Sequence, residues 1–297
     1  MSDKQSWNLT EGDEIAPGRT VLDVLGGGHR YEVYLVWDER LFSVMVAKLL
    51  RPDRAESESA LRGLRREHEL LERLSHPVLL RGFGSDLEGP YPHVLIEHLE
   101  GPTLRRLIRQ GAPLPPQQIL PLALHIAAVL HYLAGEEVVH LDVKPDNIVM
   151  GIPPRLIDLS LARSFERARK IKDYVGTNAY MPPEQCLPGE RGEIGPPADV
   201  WGLGATLYHA ITGKRPFHRP ENTDEGAPLE HRFPQLFEEP RPFAVPVADE
   251  LAEPLLASLR PDPRDRPTAQ EFALSLEPMV GALPKKMVLS RRGPLGG

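Results

Sequence analysis

The chain has 297 residues, a formal net charge of −7 and 41% hydrophobic residues, which is typical of a globular protein with one large core or two smaller ones. The acidic balance argues against a nucleic-acid-binding face, because such faces carry an excess of lysine and arginine. Cys186 is the single cysteine, so an intrachain disulfide is excluded and a reducing, cytoplasmic compartment is expected.

The two ends of the chain are expected to lie outside the folded part. Residues 1–16 are polar and are predicted to form a loosely attached tail, without the apolar segment of a secretory signal. Residues 279–297 are predicted to form a flexible tail or the start of a linker. The longest apolar run, 119–134, is interrupted by Pro121, His125 and His131, which predicts a buried helix and not a membrane span.

The first apolar segments predict two strands joined by glycines. Residues 21–25 and 31–38 are rich in β-forming residues, and Gly26, Gly27 and Gly28 stand between them. A glycine cluster of this kind lets backbone amides approach phosphate groups. A plain hairpin turn explains the same residues about equally well.

A third strand, predicted over residues 41–50, contains Lys48 among apolar residues. This lysine either lies at the edge of a sheet with its ammonium in water, or reaches a bound phosphate. Residues 57–74 then show the apolar spacing of a helix with many charges, among them Glu67 and Glu69.

The middle of the chain predicts two more strands and two helices. Strands are expected over 78–83 and 93–96, separated by a turn-rich loop, and helices over 104–110 and 115–133. Pro115 and Pro116 suit the entry of the second helix.

The stretch 139–158 concentrates ionisable residues between apolar runs. Asp142 and Lys144 are two positions apart and project the same way from an extended backbone. Asn147 and Asp158 flank two short apolar stretches that predict a hairpin, which would bring the two side chains together. An amide oxygen beside a carboxylate suits Mg²⁺, and a nearby aspartate and lysine suit proton acceptance and phosphate neutralisation.

The last third of the chain contains three further polar motifs. They are Gly176-Thr177-Asn178-Ala179-Tyr180-Met181-Pro182-Pro183-Glu184, Asp199-Val200-Trp201-Gly202-Leu203-Gly204 and Asp262-Pro263-Arg264-Asp265-Arg266-Pro267-Thr268. Residues 163–174 are predicted to form an irregular basic loop. Residues 216–246 are predicted to form an extended surface loop with a short helix near Leu236.

His140-x-Asp142-x-Lys144-x-x-Asn147, followed by Asp158 on the next strand, resembles the catalytic loop and metal-binding segment of protein kinases. With the other motifs in family order, the resemblance covers residues 17–278 and is greatest to bacterial eukaryotic-like serine/threonine protein kinases. It implies an α+β fold of two lobes: a small antiparallel β lobe, 17–99, and a larger helical lobe, 100–278. ATP would bind between them and transfer its γ-phosphate to protein serine and threonine hydroxyls.

The resemblance also implies a role for each polar residue. Asp142 would accept the proton of the substrate hydroxyl, Lys144 would neutralise the transferring phosphoryl group, and Asn147 and Asp158 would hold Mg²⁺. Lys48, paired with Glu67, would position the α and β phosphates. Thr177 would have a structural role, and Glu184 and Arg266 would form a buried ion pair. The implied ATP contacts are Leu25, Gly26, Gly28, Val33, Ala47, Lys48, Val149 and the backbone of Glu97 and Leu99.

Three positions depart from the family pattern. Tyr31 replaces the third glycine of the loop, Leu141 replaces the arginine before the catalytic aspartate, and Leu159-Ser160 replaces Phe-Gly. These departures favour a second interpretation, a nucleotide-binding pseudokinase that acts as a scaffold. A third interpretation is a kinase of small molecules with a related fold, which the segment from Gly176 to Glu184 and Arg266 disfavour, since in the family they serve the binding of peptide substrates. Leu141 cannot pair with a phosphate, so the resemblance predicts activity that is independent of phosphorylation of the activation segment.

Overall fold

The computed structural model describes residues 5–111, 114–219, 224 and 226–281. Its first part is an antiparallel sheet with two helices, and its second part is mainly helical.

The sheet contains six strands in the order β1-β2-β3-β4-β6-β5. They are β1 Glu14–Ala16, β2 Arg19–Gly27, β3 Tyr31–Asp38, β4 Ser43–Leu50, β5 Gly82–Asp86 and β6 His93–Glu97. Helices α1 Pro52–Ala55 and α2 Glu58–Arg73 follow β4. The predicted second and third strands and the first long helix are therefore present, with ends that differ by one or two residues.

The register of the sheet divides the side chains of β4 between two faces. Ala47 lies opposite Tyr34 and Leu95, and these three pack in the apolar cluster on the outer face. Lys48 lies opposite Val33 and therefore points to the other face, because successive side chains of a strand alternate. That face looks towards α2 and the helical part of the molecule.

The prediction of a loosely attached N-terminal tail is wrong for residues 5–16. Leu9 and Ile15 are buried in the outer apolar cluster, and the indole Nε1 of Trp7 donates to the carbonyl of Leu50 at 2.7 Å. A few apolar side chains in a polar segment suffice to cover the outer face of the sheet, which would otherwise expose apolar area to water.

The strand predicted over 78–83 is also misplaced, because β5 begins at Gly82. Val78, Leu79 and Leu80 are buried in a connection to the helical part. The carbonyl of Val78 accepts from the backbone N–H of Leu156 at 2.7 Å, and the N–H of Leu80 donates to the carbonyl of Leu156 at 3.0 Å. This apolar run therefore joins the two parts of the molecule.

The helical part is built around two buried helices. Its helices are α3 Leu104–Arg109, α4 Pro116–Gly135, α5 Phe165–Arg169, α6 Pro183–Cys186, α7 Pro196–Thr212, α8 Leu229–Arg232, α9 Asp249–Ser258 and α10 Ala269–Gly281. Helix α4 packs against α7 and α10, and α7 is buried along almost its whole length. Among the described residues, α4 is the one helix long and apolar enough to span a membrane by length and composition.

Four short strands support the loops between α4 and α6. Strand β7 Val138–Val139 pairs with β10 Arg163–Ser164, and β8 Ile148–Val149 pairs with β9 Arg155–Leu156. The second pair is the hairpin that the sequence predicts. Because both pairs are antiparallel, they hold the polar stretch 139–158 against the segment that follows it.

The segment 163–174, predicted to be an irregular loop, contains regular structure, and the segment 216–246 contains the short helix predicted near Leu236. Residues 163–174 include β10 and α5, and the hydroxyl of Ser164 caps α5 by accepting from Arg167 N. Residues 216–246 include α8 and a 3-10 turn, Pro234–Leu236, with Phe233 and Gln235 buried. In the predicted C-terminal tail, α10 reaches Gly281, and residues 282–297 lie outside the described part of the chain.

Candidate active site

Lys48 joins three distant parts of the chain. Its Nζ lies 2.8 and 3.0 Å from the two carboxylate oxygens of Glu67 on α2, and 2.7 Å from Oδ1 of Asp158 after β9. The ring centre of Tyr31 lies 4.3 Å from the same nitrogen. The sheet, α2 and the loop after β9 therefore meet at one ammonium group.

The charges in this cluster stabilise one another. Burial alone would lower the pKa of Lys48, but the carboxylates of Asp158 and Glu67 outweigh it and hold the pKa above its ordinary value. Burial would raise the pKa of Asp158, but the Lys48 ammonium and a hydrogen bond from Ser160 hold it below its ordinary value. Both groups are therefore charged at neutral pH.

Asp142 is the centre of a second cluster. Its Oδ2 accepts from Lys144 Nζ at 2.7 Å and from Asn147 Nδ2 at 3.0 Å, and its Oδ1 accepts from Thr177 Oγ1 at 2.7 Å. Lys144 Nζ also donates to Thr177 Oγ1 at 2.6 Å. The carboxylate is thus held from three directions, and Asp142 and Lys144 lie side by side as the sequence predicts.

A buried carboxylate on α7 holds the backbone that presents Asp142. Asp199 accepts from the backbone N–H of His140 at 2.7 Å and of Leu141 at 2.8 Å. Leu141 has a φ of 66°, a left-handed conformation that a bulky residue keeps only when its surroundings fix it. The two bonds from Asp199 supply that constraint, since they anchor the loop directly before Asp142.

Asn147 and Asp158 are brought together by the β8–β9 hairpin. The N–H of Ile157 donates to the carbonyl of Asn147 at 2.9 Å, so the residue before Asp158 is bonded to Asn147. The amide nitrogen of Asn147 donates to Asp142 twice, which leaves its carbonyl oxygen as the atom available to a cation. The second oxygen of Asp158 is the other candidate, since Oδ1 is the atom bonded to Lys48.

This pair of oxygen donors fits Mg²⁺. Mg²⁺ commonly takes one or two protein oxygens and completes its octahedron with water and substrate phosphates. Among the described residues, no group of three or more His, Cys, Asp or Glu side chains is placed to hold a metal. The two oxygen atoms therefore suit a magnesium ion that would arrive with a phosphorylated substrate.

Glu184 and Arg266 form an ion pair with both side chains fully buried. Arg266 donates to the two oxygens of Glu184 at 2.6 and 2.9 Å, and also to the carbonyls of Pro197, Arg260 and Pro261. A buried pair of this kind persists only when its remaining donors are satisfied, as they are here. It fastens α6, which follows Thr177, to the connection between α9 and α10.

Comparison with known proteins gives the family to which this geometry belongs. Residues 19–275 match the protein kinase domain family. This chain is a protein kinase domain. Serine/threonine-protein kinase PknB of Mycobacterium leprae is 32% identical over 205 residues, which are 66% of this chain and 32% of that protein. Serine/threonine-protein kinase PkaA of Streptomyces coelicolor is 32% identical over 237 residues, 77% of this chain and 42% of that protein.

A third relative, serine/threonine-protein kinase PrkC of Bacillus subtilis, is 29% identical over 210 residues, 69% of this chain and 32% of that protein. The chain therefore spans less than half of the length of each of these relatives. The resemblance to bacterial eukaryotic-like serine/threonine kinases and the two-lobed α+β fold are confirmed. Membership of the kinase family implies ATP as a substrate and, typically, Mg²⁺.

The register of β4 contradicts one of the predicted nucleotide contacts, Ala47. The resemblance implied that Ala47, together with Val33, would contact the adenine ring, but Ala47 lies on the outer face of the sheet and packs on Tyr34 and Leu95. Val46 is on the inner face with Lys48 and lies opposite Ile96. The motif Val46-Ala47-Lys48 suggested the alanine, but a strand places residues two apart on one face, and that rule selects Val46.

The other predicted contacts surround the inner face of the sheet and the connection between the lobes. Gly26 lies opposite Val33, and Val33 lies opposite Lys48. Leu25 and Gly28 are exposed on the loop, Leu99 is half-buried, and Val149 is buried. The carboxylate of Glu97 binds Arg155, and its N–H donates to Arg81 O, so only its carbonyl remains for a nucleotide.

The structure shows what the side chains contact at the three positions that depart from the family pattern. The ring of Tyr31 covers Lys48, as described above. Leu141 is buried in an apolar cluster with Val139, Ala168 and Ile194, and the half-buried Phe165 packs against it. Leu159 is buried in the main core. Leu141 thus contacts the segment after Asp158 through apolar packing, where an arginine would need an anion.

Proposed function

We propose that this kinase domain transfers the γ-phosphate of ATP to serine and threonine hydroxyls of protein substrates, with Asp142 as the catalytic base. The observation that carries the proposal is the contact of Lys48 with both Glu67 and Asp158. It joins the lysine and glutamate of the small lobe to the aspartate of the large lobe in one cleft. The names of the relatives, all serine/threonine-protein kinases, support the same reaction.

Asp142 orients the attacking hydroxyl and accepts its proton. Its carboxylate is held by Lys144, Asn147 and Thr177, so it needs no rearrangement when the substrate binds. Lys144 lies beside it and stabilises the charge on the transferring phosphoryl group. Phosphoryl transfer needs little more than positioning and charge neutralisation, and these residues supply both.

Lys48 binds the α and β phosphates, and Glu67 keeps its ammonium in place. Asp158 keeps Oδ1 on Lys48, so its second oxygen is the atom that would hold the metal. Mg²⁺, when bound with ATP, neutralises phosphate charge, and Asn147 and Asp158 are the residues that would hold it. The site does not favour the pseudokinase alternative, because the six polar residues from Lys48 to Asp158 are present and grouped.

The proposed donor is ATP and the proposed acceptor is a protein. The proposed location is the cytoplasm, where ATP is available and where Cys186, a buried free thiol, would stay reduced. The meeting of the two lobes near residue 99 belongs to the same proposal. The predicted bounds 17–278 are widened here, because β1 Glu14–Ala16 belongs to the sheet and α10 ends at Gly281.

The test is phosphate incorporation into a general protein substrate by the wild-type chain and by Asp142→Asn. The amide keeps the shape but cannot accept the proton, so we expect the rate to fall by a factor of about 10² to 10⁴. The matched control is Asp146→Asn, four residues along the same loop and exposed, which should keep the parent rate. Undiminished transfer by Asp142→Asn would remove Asp142 from its role.

A further inference from the structure

The N-terminal segment, residues 5–9, does more than cover the outer face of the sheet. Leu9 supplies the apolar cover, because it is buried in the outer cluster. Trp7 packs edge-on against Tyr91, with ring centres 4.8 Å apart, and its Nε1 donates to the carbonyl of Leu50. Leu50 is the last residue of β4 and lies opposite Tyr31, so these contacts place the segment beside the turn between β2 and β3.

A buried polar cluster continues from Trp7. Glu32 is 4% exposed, and its Oε2 accepts from the hydroxyl of Tyr34 at 2.6 Å and from Trp7 N at 3.2 Å. Its Oε1 accepts from Nη1 of Arg51 at 2.7 Å, and the same nitrogen donates to the carbonyl of Gln5 at 3.0 Å. A buried carboxylate is costly unless such bonds satisfy it, and here they also hold the Arg51 guanidinium in one orientation.

Arg51 connects this cluster to the glycine-rich turn, residues 26–30. Its Nε donates to the carbonyl of Gly28 at 2.8 Å, and its backbone N–H donates to the carbonyl of Arg30 at 3.0 Å. The N–H of Gly28 closes the turn by donating to the carbonyl of Tyr31 at 3.0 Å. One arginine therefore binds two carbonyls of the turn while the N-terminal segment and Glu32 hold its guanidinium.

The backbone of the turn explains why such support matters. Gly26 and Gly27 have φ of 123° and 155°, and a Cβ at Gly27 would collide with the carbonyl of Tyr31. Glycine is thus required at Gly27, and glycine loses more conformational entropy on ordering than any other residue. Bonds that fix the turn before a ligand arrives reduce the entropy that ligand binding must offset.

We propose that Arg51 is a positioning residue for the nucleotide and that residues 5–9 act on ATP binding through it. The ring of Tyr31, at the end of the turn, lies 4.3 Å from the ammonium of Lys48, so the turn adjoins the residue proposed to bind the phosphates. The ring can still leave Lys48, because Arg51 binds backbone carbonyls and not that side chain. The inference rests on the proposed function, since it needs ATP as the substrate.

The affinity for nucleotide is measured by calorimetry on the full chain, with a non-hydrolysable ATP analogue and Mg²⁺. Arg51→Lys keeps a charge beside Glu32 but lacks the planar fork that reaches the carbonyls of Gly28 and Gln5 together. We expect it to bind the analogue about three to ten times more weakly. Trp7→Ala releases the segment without changing the turn itself, and it should weaken binding about two to five times.

Two further measurements separate positioning from a general loss of structure. Hydrogen exchange of residues 26–31 in the free chain should be faster in both variants, whereas exchange in α7 should match the parent. In the transfer assay, KM for ATP should rise as the affinity falls, and kcat should stay within about twofold. The groups that contact the transferring phosphoryl group are unchanged in both variants.

The matched control is Arg40→Lys. Arg40 is exposed in the turn between β3 and β4, at the opposite end of β3, and it also donates to a backbone carbonyl, that of Phe83 at 2.9 Å. The same change there should leave the affinity as in the parent. Trp7→Phe keeps a ring against Tyr91 and should restore most of the affinity that Trp7→Ala loses. If Arg51→Lys does not fold, the pair of Trp7 variants carries the test.

Unchanged affinity in Arg51→Lys, equal weakening in Arg40→Lys, or a fall in kcat with unchanged affinity would overturn the proposal. Unchanged affinity in Trp7→Ala would overturn the part given to residues 5–9. Because calorimetry needs no turnover, the two proposals fail separately. A chain that binds the analogue as expected but transfers no phosphate contradicts the proposed function alone, and a chain that transfers phosphate with one KM in every variant contradicts the present inference alone.

Discussion

Leu141 and Asp158, at the centre of the cleft, both have left-handed backbone conformations, with φ of 66° and 69°. Each such residue costs about 1–3 kcal/mol and persists only when its surroundings fix it. For Leu141 the fixing group is Asp199, and for Asp158 it is the ion pair with Lys48. Backbone strain is thus placed directly beside Asp142 and at Asp158, the residue proposed to hold the metal, where the placement of a carboxylate matters most.

Tyr31 offers the clearest test at the level of one residue. Its ring lies over the ammonium of Lys48, and such a contact contributes about 0.5–2 kcal/mol. ATP phosphates that reach Lys48 must displace the ring. We therefore expect Tyr31→Gly to bind ATP about three to ten times more tightly in a fluorescence or calorimetric titration.

Tyr31→Phe is the control for this change, because it keeps the ring and should keep the parent affinity. Weaker binding by Tyr31→Gly would mean that the ring supports the nucleotide and does not compete with it.

At the level of elements, the segment from Asp158 to Glu184 is fastened at several points. Thr177 binds Asp142 and Lys144, the amide of Gln185 donates to the carbonyls of Leu141 and Val175, and Gln235 binds the carbonyls of Asn178 and Met181. Most of these bonds join side chains to backbone carbonyls, so they set the path of the segment with little dependence on its sequence.

The buried pair Glu184–Arg266 is a further connection of this segment, and both of its side chains are fully buried. Arg266→Met leaves the carboxylate of Glu184 buried without a partner, and breaking a buried pair costs about 3–5 kcal/mol. We expect that loss of stability in urea unfolding of the variant.

The double variant Glu184→Gln, Arg266→Met serves as the comparison and should lose less than Arg266→Met alone, since no buried charge remains unpaired. A single variant as stable as the parent would show that the pair does not hold the segment.

His209 on α7 predicts a dependence of stability on pH. It pairs with the hydroxyl of Tyr180, and burial, with the charges of Arg105 and Arg215, lowers its pKa to about 4 from 6.5. Below pH 6.5 His209 is protonated in the unfolded chain but stays neutral in the folded chain. The free energy of unfolding therefore falls as the pH drops towards 4, by about 3 kcal/mol in total.

The free energy of unfolding is measured in urea at several pH values between 7.5 and 5, and its slope against pH is compared between the parent and His209→Gln. His76 and His93, whose pKa values burial also lowers, steepen the parent curve, which makes the difference between variants the informative quantity. The exposed His131→Gln on α4 should keep the parent slope. Identical slopes for parent and His209→Gln would refute the role given to His209.

At the level of the whole molecule, the replacement of an arginine by Leu141 predicts how the kinase domain is controlled. The segment after Asp158 packs on Leu141 through Phe165, Ala168 and Ile171, and this contact needs no phosphate. We expect phosphatase treatment to leave the transfer rate nearly unchanged. A large fall after treatment would show that a phosphate on the chain itself holds the segment.

The sequence predicts well where a pattern has one physical interpretation. A run of β-forming residues predicted β3, helical spacing predicted α2, and a charged stretch between apolar runs predicted the loop of Asp142. The resemblance to kinases then supplied roles for residues that no pattern joins, such as Glu184 and Arg266.

Prediction from sequence was wrong where distant contacts decide the structure. Leu9 and Ile15 are buried only because the outer face of the sheet needs covering, and Val78–Leu80 resemble a strand but connect the two lobes. Ala47 was chosen from a motif, whereas the register of β4 selects Val46.

The central claim is that one cleft transfers phosphate from ATP to protein hydroxyls. The most direct measurement is incubation of the wild-type chain with γ-labelled ATP and Mg²⁺, with a protein, a sugar or no acceptor, followed by identification of the labelled residue. We expect label on serine and threonine of the protein and little on the sugar. Nucleotide binding without transfer to any acceptor, or transfer to the sugar alone, would contradict the claim.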